Sequence, residues 1–153
     1  MEIYLVQHGE ATSEAENAER PLTNEGILKA STVAQYMANI GLMPSRIVHS
    51  NKLRARQTAE VFEQYLKPID GISEQEGLAP KDDPEQAREF IIQSQEPVMI
   101  VGHLPHLSRL TSLLMVNDPY QEIISFHMAG VACLVLADDK WKVKWALTPD
   151  TIK

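Results

Sequence analysis

Apolar positions along this chain follow two rhythms. Short unbroken apolar runs, EIYLV (2–6), RIVHS (46–50) and PVMIVG (97–102), are bounded by polar residues, Gly or Pro, and this pattern predicts buried strands of a largely parallel sheet. Between them the apolar residues recur with helical spacing. In LTNEGILKASTVAQYMANIG (22–41), Ile27, Ala30, Val33, Ala34 and Met37 form one stripe, with Thr23 placed to cap the start and Gly41 to end it. KLRARQTAEVFEQYL (52–66), EQAREFIIQS (85–94) and PHLSRLTSLLM (105–115) also read as helices. Residues 67–84, rich in Gly, Pro and Asp, read as a loop with room for one short strand. The chain then changes character: SFHMAGVACLVLA (125–137) and KWKVKWAL (140–147) flank two aspartates as a hairpin. Strands alternating with helices predict a three-layer α/β/α domain over residues 1–153, with a mostly parallel central sheet and an antiparallel C-terminal edge.

Composition narrows the function classes. The chain has 153 residues, 44% of them hydrophobic, which is enough for one sizeable core. A net charge of −7 argues against a nucleic-acid surface, which needs a basic patch to neutralise phosphates. No apolar run approaches a membrane span, and the first residues lack the basic start and apolar stretch of a secretory signal, so a cytoplasmic protein is expected. The lone cysteine, Cys133, lies in an apolar run and is expected to pack rather than react.

Polar candidates cluster at strand ends. His8 follows the first strand, Ser50 closes the second with Arg54 just beyond it, and His103 follows the third long apolar run. In an open parallel sheet these carboxyl ends share one edge, where ligands bind. Gly9 and Gly102 beside the histidines permit tight turns and close approach to a ligand. Two histidines and an arginine on one rim suit an anion, most simply a phosphoryl group. A neutral imidazole can take a phosphoryl group and pass it to water, while an arginine fork and a second histidine, if protonated, donate to the equatorial oxygens. This scheme requires neither metal nor other cofactor. The plainer alternative is that both are satisfied loop histidines. No GxSxG elbow supports a serine hydrolase. His106 lies across a strand-to-helix turn from His103, so a shared metal is not expected; a cap or rim role is. His49 and His127 read as sheet packing residues, and Asp82 and Asp83 as a turn and acidic helix start.

Four stretches, QHGEA, RPLTNEG, SNKLRARQTA and VGHLP, together resemble the signatures of the histidine phosphatase (phosphoglycerate mutase-like) superfamily, and in length and in HLP its small SixA-type phosphohistidine phosphatase branch. The resemblance implies a phosphoglycerate mutase-like fold and a phosphohistidine intermediate on His8, with Arg54 and His103 binding phosphate and Ser50 shaping the pocket. Gln7 departs from the pattern, for the family usually has arginine there; an amide keeps a donor and loses the charge. Glu76 is the nearest candidate for a general acid, ahead of Glu10 and Glu14. Arg56 points away from Arg54 on its helix and is not assigned to the pocket. Phosphohistidine on a protein is the expected substrate, since protonated phosphohistidine releases neutral imidazole without an acid. A weakly catalytic phosphoryl-binding module and a small phosphate ester phosphatase stay open as alternatives.

Overall fold

The computed structural model describes residues 1–152. Its elements are β1 (Glu2–Gln7), α1 (Asn24–Asn39), β2 (Arg46–His49), α2 (Leu53–Leu66), β3 (Ile72–Glu74), α3 (Pro84–Ser94), β4 (Val98–Gly102), α4 (His106–Val116), β5 (Val131–Ala137) and β6 (Lys140–Leu147), closed by a 3-10 turn at Pro149–Thr151. One sheet runs β3-β2-β4-β1-β5-β6. The first four strands are parallel, and β5 and β6 add the antiparallel edge.

Strand alternation divides the core. Tyr4, Val6, Ile47, Met99 and Val101 face α1 and α2, where they meet Ala30, Val33, Met37, Ala55 and Phe62. Ile3, Leu5, Val48, Val98 and Ile100 face α3 and α4, against Ala87, Ile91, Leu107 and Leu110. β1 and β4 are buried along nearly their whole length, as strands covered on both faces must be. Thr23 caps α1, its Oγ1 accepting from Gly26 N at 2.9 Å. The last turn of α1 runs out through Ile40 to Gly41, whose φ of 78° only glycine adopts freely.

Three local expectations change. Ile27 is 43% exposed and Gly26 takes its place on the buried side of α1, because the chain after β1 crosses the first turn of the helix there. A Cβ on Gly26 would stand 2.2 Å from the Glu10 carbonyl oxygen. The strand expected from residue 125 begins only at Val131. Before it the chain doubles back, Gly130 N donating to His127 O at 2.8 Å, so His127 lies exposed in a loop and not on a sheet face. His106 is fully buried at the start of α4 rather than on a rim. Among the described residues no helix is long and apolar enough to cross a membrane.

Candidate active site

The sheet brings the two histidines together. β1 and β4 lie side by side in parallel, and His8 N extends their ladder by donating to Gly102 O at 3.0 Å. His8 and His103 therefore leave neighbouring strands at one edge, with ring centroids 5.0 Å apart and planes tilted by 53°. β2 flanks β4 on the other side and delivers Ser50, whose Oγ lies 2.6 Å from His103 Nε2.

Each ring is held by one hydrogen bond, and for His8 that bond fixes the tautomer. His8 Nδ1 lies 2.7 Å from the Gly9 carbonyl, which can only accept, so the proton is on Nδ1 and the lone pair on Nε2. Ser50 Oγ accepts from Lys52 N at 3.2 Å, and with its own proton turned to His103 Nε2 it leaves a proton on His103 Nδ1. That nitrogen is buried and has no protein partner.

Burial dominates the electrostatics. It draws His8 down to about 4, against the Gly9 bond, and the Arg54 and Arg20 guanidiniums push the same way. His103 falls to about 3, again through burial, reinforced by His8, Arg54, His106 and Lys52. Both rings are neutral at pH 7. His103 can therefore donate through a neutral N–H and lacks the protonation that would have made it a cationic donor. Burial and Arg20 also lower Arg54, which keeps its charge all the same.

Arg54 sits in the first turn of α2, with Nε buried and unpartnered. No side chain caps this helix, so its positive amino end faces the same edge as the guanidinium. α2 also anchors the site. Thr58 Oγ1 accepts from Gly9 N at 2.9 Å and donates to Arg54 O at 2.7 Å, tying the His8 loop to the helix. Gln57 Oε1 accepts from Leu22 N at 2.7 Å and seats the loop before α1. Both positioning residues lie inside the stretch SNKLRARQTA, but their partners Gly9 and Leu22 are distant in sequence.

A cleft of about 670 Å³ opens beside Arg54, lined also by Arg20, Lys52, Lys81, Glu14 and Asp82. Glu76 lines an adjoining pocket of about 370 Å³ with Glu74 and Gln86 instead. Asp82 borders both, and its Oδ2 accepts from Ala79 N at 3.0 Å. Asp83 caps α3 through Glu85 N at 3.0 Å. Arg56 is 59% exposed and paired with Glu60 at 3.5 Å, away from this cleft. Gln7 ends β1 half-buried, its Oε1 shielded from solvent without a donor. His49 Nδ1 donates to Ser50 O at 2.8 Å, so this histidine serves the strand end. Burial pulls His106 down against the opposing pull of Asp82 and the Gly77 backbone; the approach to Gly77 falls short of hydrogen-bond geometry. Cys133 is buried on β5, and burial pushes its thiol up to about 11, which keeps it inert. Among the described residues, no three His, Cys, Asp or Glu side chains group as metal ligands.

Known proteins share this fold. An uncharacterized protein of Picosynechococcus sp. is 41% identical over 85 residues, covering 53% of this chain and 50% of that protein. The chain thus spans about half the length of the curated relative it matches. A structure of the protein histidine phosphatase SixA complexed with tungstate superposes with a TM-score of 0.87 at 23% identity, covering 100% of both chains. The alpha-ribazole phosphatase from Shigella flexneri gives a TM-score of 0.76 at 13% identity, covering 97% of each. These likenesses show a phosphoglycerate mutase-like fold. The family model of the histidine phosphatase superfamily (branch 1) matches residues 3–79, half of the chain, and takes in His8, Ser50, Arg54 and the anchors Gln57 and Thr58. With that match spanning half of the chain, the chain belongs to the histidine phosphatase superfamily.

Proposed function

We propose that this protein is a phosphatase that cleaves phosphohistidine on a partner protein, with His8 as the nucleophile. The observation that carries this reading is His8 itself: a buried ring, neutral through the physiological range, whose Gly9 bond leaves the Nε2 lone pair free 5.0 Å, ring to ring, from His103.

The chemistry proceeds in two displacements. His8 Nε2 attacks phosphorus as the P–N bond of the substrate breaks, and the leaving imidazole, protonated beforehand on its other ring nitrogen, departs neutral. Water then attacks the phosphoryl group on His8, its proton passing to solvent, and phosphate is released with the His8 ring restored. Arg54 and the His103 Nδ1–H donate to the equatorial oxygens, where charge gathers. Ser50 keeps the His103 proton on that nitrogen, and Thr58 holds the His8 loop against α2.

Two features favour phosphohistidine. Its leaving group needs no acid, and Glu76 lines the adjoining pocket rather than the cleft beside Arg54. The cleft is also broad and open to a side chain presented by another protein. A small phosphate ester is the second reading, favoured by Glu14 and Asp82 on the cleft wall, either of which could protonate an alkoxide.

Rapid quenching at alkaline pH with a 32P-labelled phosphohistidine protein should leave label on His8. The same enzyme should cleave that substrate with a higher kcat/KM than a sugar phosphate. A sugar phosphate preferred over phosphohistidine would favour the second reading, and phosphate bound without turnover of either substrate would make the protein a binding module.

A further inference from the structure

The loop between β1 and α1 brings another guanidinium to the cleft. Arg20, half-buried near the end of that loop, lines the same cavity as Arg54. Its Nε donates to the Thr12 carbonyl at 3.1 Å, which grips the group by one edge and leaves the terminal nitrogens free for a ligand. Among the described residues, no carboxylate lies within ion-pair distance of it. Arg56, exposed and paired with Glu60, shows the ordinary surface alternative.

The backbone is committed to this placement. Arg20 adopts a φ of 52°, a left-handed conformation that a residue with a Cβ seldom adopts without reason. Arg20 N donates to Asn17 O at 3.0 Å, Thr12 N to Pro21 O at 2.7 Å, and Leu22 N to Gln57 of α2. The loop is closed at its base and fastened to the helix that carries Arg54. The charge of Arg20 is felt at His8 and at Arg54 alike. Two guanidiniums line one cleft, neither within ion-pair distance of the Glu14, Glu19 and Asp82 carboxylates that also line it, and together they form a site that an anionic ligand can complete. Gln7, the residue immediately before His8, supplies no charge.

We propose that Arg20 is a phosphoryl-binding residue of this site, supplying with Arg54 the second cation that Gln7 does not. The proposal rests on the phosphoryl-transfer reading above. It places two forks on the equatorial oxygens, one from α2 and one from the loop before α1, and makes Gln7 a neutral neighbour of a charge delivered from elsewhere.

The test combines variants with a measurement on the unaltered protein. Arg20→Gln keeps a donor for the Thr12 carbonyl and removes the charge; it should lower kcat/KM on p-nitrophenyl phosphate by roughly a hundredfold, the scale of one lost transition-state donor, and weaken vanadate inhibition. Gln7→Arg should restore at least tenfold of that loss in the Arg20→Gln background and improve the parent protein far less. Phenylglyoxal labelling read by peptide mass spectrometry should show Arg20 and Arg54 protected by inorganic phosphate and Arg56 modified regardless. Arg54 protected with Arg20 unprotected would overturn the proposal while sparing the phosphatase reading, as would equal gains from Gln7→Arg in both backgrounds. Neither arginine protected would overturn both.

Discussion

The carboxyl-end rim of the parallel strands and the C-terminal hairpin are built from the same sheet to opposite standards. Among the described residues, six buried polar side-chain atoms have no partner: three are on Gln7, Arg54 and His103 at this rim, and two are on His106, buried behind it at the start of α4. The sixth, Arg46 Nε, is at the other end of β2, where the guanidinium lies over Phe90, 5.9 Å from its ring centroid. The β5–β6 hairpin contributes none. Its turn residues Asp138 and Asp139 have φ of 53° and 62°, the two-residue turn whose twist matches the strands. Tyr4 packs on Trp145 with centroids 6.1 Å apart, and Lys144 pairs with Glu2 on the outer edge. Unpaired buried polar groups cost stability, so the rim gives up stability that the hairpin, with its partners in place, keeps.

The sharpest break between the regions should come from His8→Ala. Loss of the proposed nucleophile should lower kcat by at least roughly a thousandfold and abolish labelling of the protein, with little change in the unfolding midpoint. A variant that kept its rate would move the chemistry off the rim.

Gly26→Ala tests how firmly the rim is seated. A Cβ 2.2 Å from a backbone oxygen cannot be accommodated by a side-chain rotation, so the loop after His8 must shift. The expected cost is about 3 kcal/mol in urea unfolding, at the upper end for overpacking, with turnover falling as well. A loss below about 0.5 kcal/mol would show that the loop is not pressed on α1.

Acid should weaken the rim before the hairpin. His8 and His103 titrate at about 4 and about 3 when folded and near 6.5 when unfolded. Between those values the unfolded chain binds protons that the folded chain refuses, so the full stability is present above pH 6.5 and is lost as pH falls. Each ring should cost about 2 kcal/mol between pH 7 and pH 5. Asn at both positions should flatten that slope; parallel pH profiles for the variant and parent would contradict the buried neutral rings.

The smallest effect belongs to the hairpin. Asp139→Gly places the residue such a turn favours at a positive φ and should stabilise the fold by about 0.5 kcal/mol, with turnover unchanged within a factor of about two. A change in rate would mean that the edge strand communicates with the site.

The sequence carried the fold because its signals are local. Apolar runs bounded by polar residues, Gly or Pro marked β1, β2 and β4, and the Thr23 cap and Gly41 stop framed α1 within two residues. Where a local signal met a tertiary demand it failed. Ile27 has helical spacing, yet the crossing chain at Glu10 buries Gly26 in its place. Residues 125–129 look as strand-like as those that follow, yet the chain must turn there to bring Ala129 N to the Gln7 carbonyl at 2.9 Å.

The site divides along the same line. The sequence alone determined that His8, Ser50, Arg54 and His103 would gather on one edge, because parallel strands joined by helices put all their carboxyl ends on the same side. Only the tertiary structure decided their states and their company. Burial makes both rings neutral, Gly9 selects the His8 tautomer and Ser50 holds His103, Thr58 and Gln57 reach across from α2 to seat two loops, Glu76 falls into the neighbouring pocket, and Arg20 folds in beside Arg54. A residue's type and place along the chain limit which bonds it can make; which bond it makes depends on neighbours that are distant in sequence and on the water the fold excludes.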